Sequence, residues 1–126
     1  MGTTTKIAAV SDDQQIDPRR ASELIAGGAP AIDVRDSDEY EAGHIQGARH
    51  VPFDRLSAEA TGLEAGESVV FYCRSGDRSS TAAAAFAASG IEAHSIAGGL
   101  EAWAEEGLPL EPEDGQVAER SGLPPA

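Results

Sequence analysis

The chain of 126 residues suits one compact domain that buries roughly two thirds of its unfolded surface. Its formal net charge of -13, from 22 acidic against 9 basic residues, argues against a nucleic-acid backbone as partner. A single cysteine, Cys73, excludes an internal disulfide, and no apolar run approaches the ~20 residues that span a bilayer.

With no hydrophobic leader near Met1, the chain reads as a reduced, cytoplasmic protein. Lys6 stands where a myristoylation signal needs Ser or Thr, so no lipid anchor is expected. Only 5% of residues are aromatic and 14 are glycine, which calls for a core of small, closely packed aliphatic side chains. Residues 1–15 read as an N-terminal extension and 16–110 as the domain. Residues 111–126 read as an acidic, mobile tail.

In chain order, "IDPRRASELIAGGA" predicts a helix near 18–26, with Asp17 as N-cap, Pro18 at the first helical position and Gly27 as stop. "AIDV" is a short buried strand, which puts Asp33, Arg35 and Asp36 at a strand's carboxyl end. Ser37 then caps a short helix that Gly43 closes. "GARHVPFDRL" gives a turn, an extended piece and a modest helix, and "TGLEAGES" a surface connection. "SVVFY" is a central strand. A tight loop, 73–78, leads into a helix beginning near Ser79 with Gly90 as C-cap. "IEAHSIAGGLEAWAEEGLPLE" adds a strand, a glycine turn and a last helix. Strands alternating with helices predict a parallel α/β sheet covered on both faces. There is no internal repeat.

Chemistry is expected at the loop "CRSGDRSS". Ligand sites of open parallel sheets lie at the carboxyl ends of strands, and a helix N-terminus there offers free N–H groups to an anion. An isolated cysteine is commonly a small core residue. The polar run after Cys73 instead points to an exposed, electropositive setting, in which a thiol pKa falls below its usual value of about 8.5. Arg74 and Arg78 are the local cations. Gly76 lets the loop curl as an anion nest, and Ser75, Ser79 and Ser80 offer hydroxyls. Asp77 is expected to face solvent or pair with an arginine. A cysteine phosphatase loop places five residues between Cys and Arg; here only four separate Cys73 from Arg78, and Tyr72 stands before the thiol where such loops commonly carry His. The smaller ring suits a sulfur atom on the cysteine better than a phosphoryl group beside it.

Three separated pieces, "IDVRDSDEYEAGHIQGARHVP", "CRSGDRSS" and "GGLEAWAEEGLPLE", resemble the single-domain rhodanese-like sulfurtransferases over about residues 16–110. The resemblance implies a three-layer α/β fold, a central, mostly parallel sheet with helices on both faces. It also implies a double displacement in which Cys73 takes the outer sulfur of a donor, becomes a persulfide, and passes that sulfur to a thiol or cyanide. Arg74, Ser75, Gly76, Asp77, Arg78 and Ser79 would bind the substrate. No metal or organic cofactor is implied. Arg74 suits an anionic donor, and the loop lacks the Cys-Gly start of relatives that use mercaptopyruvate, so thiosulfate or a small persulfide is expected. The acceptor could sit on a thiol-bearing protein, and the competing reading is a non-enzymatic sulfur-relay or docking module. An intact cysteine and arginine-bearing loop favours the enzyme.

Other residues read as supporting structure. Asp33 and Arg35, with Glu39 nearby, could brace the loop from the neighbouring strand end or form a simple ion pair. His44, His50 and His94 lack the close paired spacing of a metal site, and His44 falls in the "GHI.GA" turn of the family. Trp103 is expected to pack against the sheet. The alanine tract 82–88 brings its helix close to the strand bearing Cys73.

Overall fold

The computed structural model describes residues 14–112 and Val117, so most of the expected extension and tail lies outside the described residues. Asp17 is extended and accepts the Arg20 N–H at 2.8 Å, which starts α1 (Pro18–Ala26). Pro18 occupies the first turn, where its missing N–H costs nothing, and Gly27 is the C-cap. β1 (Gln15–Ile16) precedes this helix. It is followed by β2 (Ala31–Asp33), α2 (Ser37–Ala42), β3 (His44–Ile45), β4 (Arg49–His50), a 3-10 turn (Phe53–Arg55) and α3 (Ala58–Thr61). The second half runs β5 (Ser68–Tyr72), α4 (Asp77–Ala87), β6 (Glu92–Ile96), α5 (Gly99–Glu105) and β7 (Leu110–Glu111).

Five strands form one parallel sheet in the order β1-β6-β5-β2-β4, with "SVVFY" at its centre as its apolar run requires, while β3 and β7 pair antiparallel apart from it. Side chains of a strand alternate between faces. Val69, Phe71 and Cys73 therefore join Ile32 and Val34 in a core under α4, closed by Ala82 and Ala83. Val70 and Tyr72 join the opposite core with Ala21 of α1 and Leu100 and Trp103 of α5. This is the three-layer α/β architecture anticipated. Trp103 packs as expected, but of the alanine tract only Ala82 and Ala83 are buried, while Ala85 and Ala88 face solvent. Among the described residues no helix is long and apolar enough to cross a membrane, and no group of three or more His, Cys, Asp or Glu is arranged to hold a metal ion.

Three boundaries differ from the sequence reading. The N-cap of α2 is Asp36, not Ser37, because Glu39 reaches back three residues and accepts the Asp36 N–H at 3.0 Å. Helix α4 starts at Asp77 rather than near Ser79, since Gly76, at φ +110°, turns the chain straight into it. Its C-cap is Ala88, and Gly90, at φ +88°, makes the turn that follows. The "TGLEAGES" connection is not all surface. Thr61 is buried with its hydroxyl donating to Ser57 O at 3.0 Å, and Leu63 packs in the α4-side core.

Asp33 and Arg35 form a pair that is fully buried rather than a surface pair. Arg35 donates through Nε and Nη2 to both oxygens of Asp33, at 2.6 to 3.1 Å, and through Nη2 to Gly43 O at 2.7 Å. Its guanidinium lies 5.8 Å from the centre of the Tyr72 ring. Burial disfavours the Arg35 charge, but the hydrogen bonds and charge of Asp33 outweigh it and raise the pKa above its ordinary value. Burial first, and the charge of Asp33 second, push Tyr72 well above 10, against the pull of the Ile45 N–H that its hydroxyl accepts at 2.9 Å. Tyr72 therefore stays neutral in the core opposite the thiol. Tyr40 stacks between His44 and His50, at centroid distances of 3.8 and 4.6 Å, which closes the turn around β3 and β4. Arg35→Ala leaves the Asp33 carboxylate buried without its cation, and urea unfolding is expected to show a loss of about 3–5 kcal/mol. A loss below about 1 kcal/mol would mean that Asp33 finds water or another partner.

Candidate active site

Cys73 continues the Val69 and Phe71 face of β5, so its side chain points into the α4 layer and is 1% exposed. This corrects the expectation of an exposed thiol. The solvent-facing members of the loop are Ser75 and Asp77, and the backbone folds over the sulfur. Asp77 faces outward as anticipated.

The Gly76 peptide holds the sulfur. Its N–H donates to Cys73 Sγ at 3.1 Å. Its carbonyl accepts the Ser80 N–H at 3.0 Å, the Ser80 hydroxyl at 2.6 Å and the Ser79 hydroxyl at 3.3 Å. Gln15 Nε2 in turn donates to Ser80 Oγ at 2.6 Å, so the edge strand helps fix this peptide. Ser79 Oγ lies 3.5 Å from Sγ and 2.8 Å from Ser95 Oγ on β6. When Ser95 donates to Ser79, the single Ser79 proton is shared between Gly76 O, the shorter contact, and the sulfur. Both donors sit at the start of the eleven-residue helix α4, whose dipole favours negative charge at this end.

Helix α5 ties down the other side of the loop. Its Leu100 N–H donates to Cys73 O at 2.8 Å and its Glu101 N–H to Arg74 O at 3.1 Å. A Cβ at Gly99, whose φ is +61°, would fall 2.4 Å from Arg74 O and 2.5 Å from Cys73 O, both backbone atoms. Only glycine permits this approach.

Each loop arginine is held by a carboxylate, where the sequence suggested two cations free to face an anion. Arg74 Nη2 lies 3.0 Å from Glu101 Oε2, with both side chains partly exposed. Arg78 Nη1 and Nη2 lie 3.3 and 3.4 Å from the two oxygens of Glu39, whose side chain is fully buried. Of the three residues expected to brace the loop, Glu39 is the one that reaches it; the contacts of Asp33 and Arg35 run to Gly43 and the Tyr72 ring. His44 lies with Nδ1 2.8 Å from Tyr40 O, His50 with Nε2 2.7 Å from Arg35 O, and His94 beside Glu92.

The sequence reading missed Ser95, Gly99 and Glu101 as parts of the site. A serine in the otherwise buried half of strand β6 and a Gly-Gly pair directly before a helix were the available signals. Glu101 carried none, because its role depends on how α5 docks. Gly99→Ala is expected to cost more than the roughly 1–2 kcal/mol of a left-handed non-glycine residue, since the loop backbone must also move. Gly47→Ala, at φ +81° with open space around it, should cost only that strain. Alkylation of Cys73 should be faster in Gly99→Ala than in Gly47→Ala, and equal rates would show that the loop stays closed without the α5 contact.

Comparison with known proteins agrees with this geometry. The rhodanese-like domain family matches residues 17–106. The chain is 35% identical over 95 residues to the thiosulfate sulfurtransferase GlpE of Ectopseudomonas mendocina, covering 75% of this chain and 87% of that protein. Among solved structures, BH2092 from Bacillus halodurans superposes with a TM-score of 0.70 at 28% identity, covering 83% of this chain and 81% of that one. The rhodanese-like domain of Alr3790 from Anabaena gives 0.68 at 27% identity, covering 90% and 87%. The match spans β2, β4, β5 and β6 of the sheet, the Cys73 loop and α5 together, and the chain belongs to the rhodanese-like domain family.

Proposed function

We propose that this rhodanese-family chain is a sulfurtransferase that carries sulfane sulfur as a persulfide on Cys73, from thiosulfate or a small persulfide to a thiol or cyanide. The observation that carries the reading is the 3.1 Å hydrogen bond from the Gly76 N–H to Cys73 Sγ, at the start of α4. A fixed amide, a nearby hydroxyl on Ser79 and a helix dipole stabilise negative charge on sulfur without rearranging. The naming of relatives as thiosulfate sulfurtransferases supports the same chemistry.

In the first half-reaction the Cys73 thiolate attacks the outer sulfur of thiosulfate. A bond forms between the two sulfurs, the original sulfur–sulfur bond breaks, and sulfite leaves with the electron pair. In the second, an acceptor thiolate or cyanide attacks the outer sulfur of the persulfide, and Cys73 leaves again as thiolate. The sulfur atom passes through without net oxidation of the protein, so neither metal nor organic cofactor is required. Arg74, at the partly exposed rim beside Glu101, meets the anionic donor. Ser75 and Asp77 line the rim, where they shape access rather than touch the sulfur.

Intact-mass measurement after incubation with thiosulfate should show one added sulfur atom on the wild type and none on Cys73→Ser. An unmodified wild type would remove the thiosulfate reading, and a phosphoryl adduct from a phosphate ester would replace it with phosphatase chemistry. The charge of -13 repels a dianionic donor at long range. Raising the salt concentration should therefore lower the KM for thiosulfate, and a steep rise instead would mean that attraction by the rim cation dominates.

A further inference from the structure

Three serines and a glutamine form a hydrogen-bonded network beside the thiol, and the direction of each bond follows from what each group can donate or accept. Gly76 O is an acceptor only, so its 2.6 Å contact with Ser80 Oγ uses the Ser80 proton. Ser80 Oγ must then accept at its other 2.6 Å contact, and Gln15 Nε2, a donor only, supplies that proton from β1. On the opposite side Ser95 is buried and, among the described residues, its hydroxyl has Ser79 Oγ as its one partner, at 2.8 Å. A buried donor without an acceptor is costly, so Ser95 donates to Ser79. One proton is then left to place, that of Ser79, between Gly76 O at 3.3 Å and Cys73 Sγ at 3.5 Å.

A carbonyl oxygen has two lone pairs. Those of Gly76 O are engaged by two shorter bonds, from the Ser80 N–H at 3.0 Å and the Ser80 hydroxyl at 2.6 Å. Ser79 would be a third donor on a filled acceptor, whereas the sulfur receives the Gly76 N–H and gains negative charge as thiolate or persulfide. We propose that Ser80 is a positioning residue of the sulfur site: by filling the Gly76 carbonyl it turns the Ser79 hydroxyl to Cys73 Sγ. A serine hydroxyl bonded to the carbonyl four residues back is common in helices. Here that carbonyl is the one that competes with the sulfur for the Ser79 proton. Ser80 acts through Ser79, with Gln15 fixing its direction and Ser95 supplying the lone pair of Ser79. The inference rests on Cys73 acting through its anion, as in the sulfur-transfer reading.

A double-mutant cycle read by the pH profile of Cys73 alkylation with iodoacetamide tests this. Ser79→Ala removes the hydroxyl bond to the sulfur. Ser80→Ala empties a lone pair of Gly76 O, to which Ser79 then turns. Each variant should move the midpoint of the profile upward by about half a unit, and the double variant should move no further than either single one. Alanine at position 80 extends the helix-forming run of α4, so the fold is expected to hold. Arg74, Asp77, Arg78, Glu39 and Glu101 around the loop, and Asp33 with Arg35 beside it, keep their charges in every variant, so the shift reads the hydroxyl. The alkaline plateau, which reports access to the thiolate, should be unchanged in Ser80→Ala, and Ser80→Thr, which keeps the hydroxyl, should return the midpoint to that of wild type. An unmoved midpoint in Ser80→Ala would overturn the inference. So would single shifts that add to about one unit in the double variant, which would mean that the two hydroxyls act independently. Wild-type protein that takes up no sulfur from thiosulfate while the cycle stays non-additive would sink the transfer reading and support the network, so the two failures are told apart.

Discussion

The N-terminus of α5 reaches the carbonyls of Cys73 and Arg74 because residue 99 has no Cβ, and the geometry of the sulfur depends on that approach. With those two carbonyls tied to Leu100 and Glu101, the first half of the loop is fixed from below. The second half is fixed by Gly76, whose carbonyl is occupied by Ser80 and Ser79 and whose N–H donates to Sγ. A Cβ on Gly76 would meet Gly98 N and Ile96 O at 3.5 Å, so the two glycine turns lie against each other. The small side chains of α4 belong to the same arrangement. Ala82 and Ala83 bring the helix down onto β5 closely enough for Ser79 to reach the sulfur.

The carboxyl end of the sheet also concentrates buried charge. Asp33 with Arg35, and Glu39 with Arg78, place two carboxylates and two guanidinium groups at the strand ends and loop that border the Cys73 turn, in a protein with only 9 basic residues to distribute. Such pairs contribute little net stability against apolar replacements, yet each is costly to break one-sidedly. Their effect is geometric. Arg35 joins the end of β2 to Gly43 and lies against the Tyr72 ring, while Glu39 joins the cap of α2 to the far end of the loop.

Most of the framework was legible in the sequence, for reasons that particular residues make clear. Asp17-Pro18 and Gly27 bracket α1, "SVVFY" could only be a doubly covered strand, and the step from that strand through Gly76 to an alanine-rich helix marked the loop. What sequence reading lost were relations between distant segments. Glu39 and Arg78 are thirty-nine positions apart, and nothing local to either says that one neutralises the other. The exposure of Cys73 was misjudged because the polarity of its followers was read as polarity of the thiol's surroundings. Strand alternation, which carries Val69, Phe71 and Cys73 to one face, gave the correct answer and was not applied one residue past the strand. The cap of α2 moved from Ser37 to Asp36 for a similar reason, since the Glu39 side chain selected the earlier residue.

Burial of the thiol and the scarcity of available cations fit together on the proposed route. Sulfur transfer through Cys73 begins with a thiolate, passes through a persulfide that is also an anion of one charge, and ends with the thiolate again. A site of fixed dipoles, the Gly76 amide, the Ser79 hydroxyl and the start of α4, suits each of these states equally and need not reorganise between half-reactions. Those dipoles act more strongly in a water-poor pocket than they would on an exposed loop. A full positive charge beside the sulfur would instead hold the thiolate or persulfide too firmly and slow its next step, because only stabilisation that grows toward the transition state speeds the reaction. The Arg78 guanidinium is directed to the Glu39 carboxylate and that of Arg74 to Glu101, so the atoms that hold the sulfur are the neutral Gly76 amide and Ser79 hydroxyl.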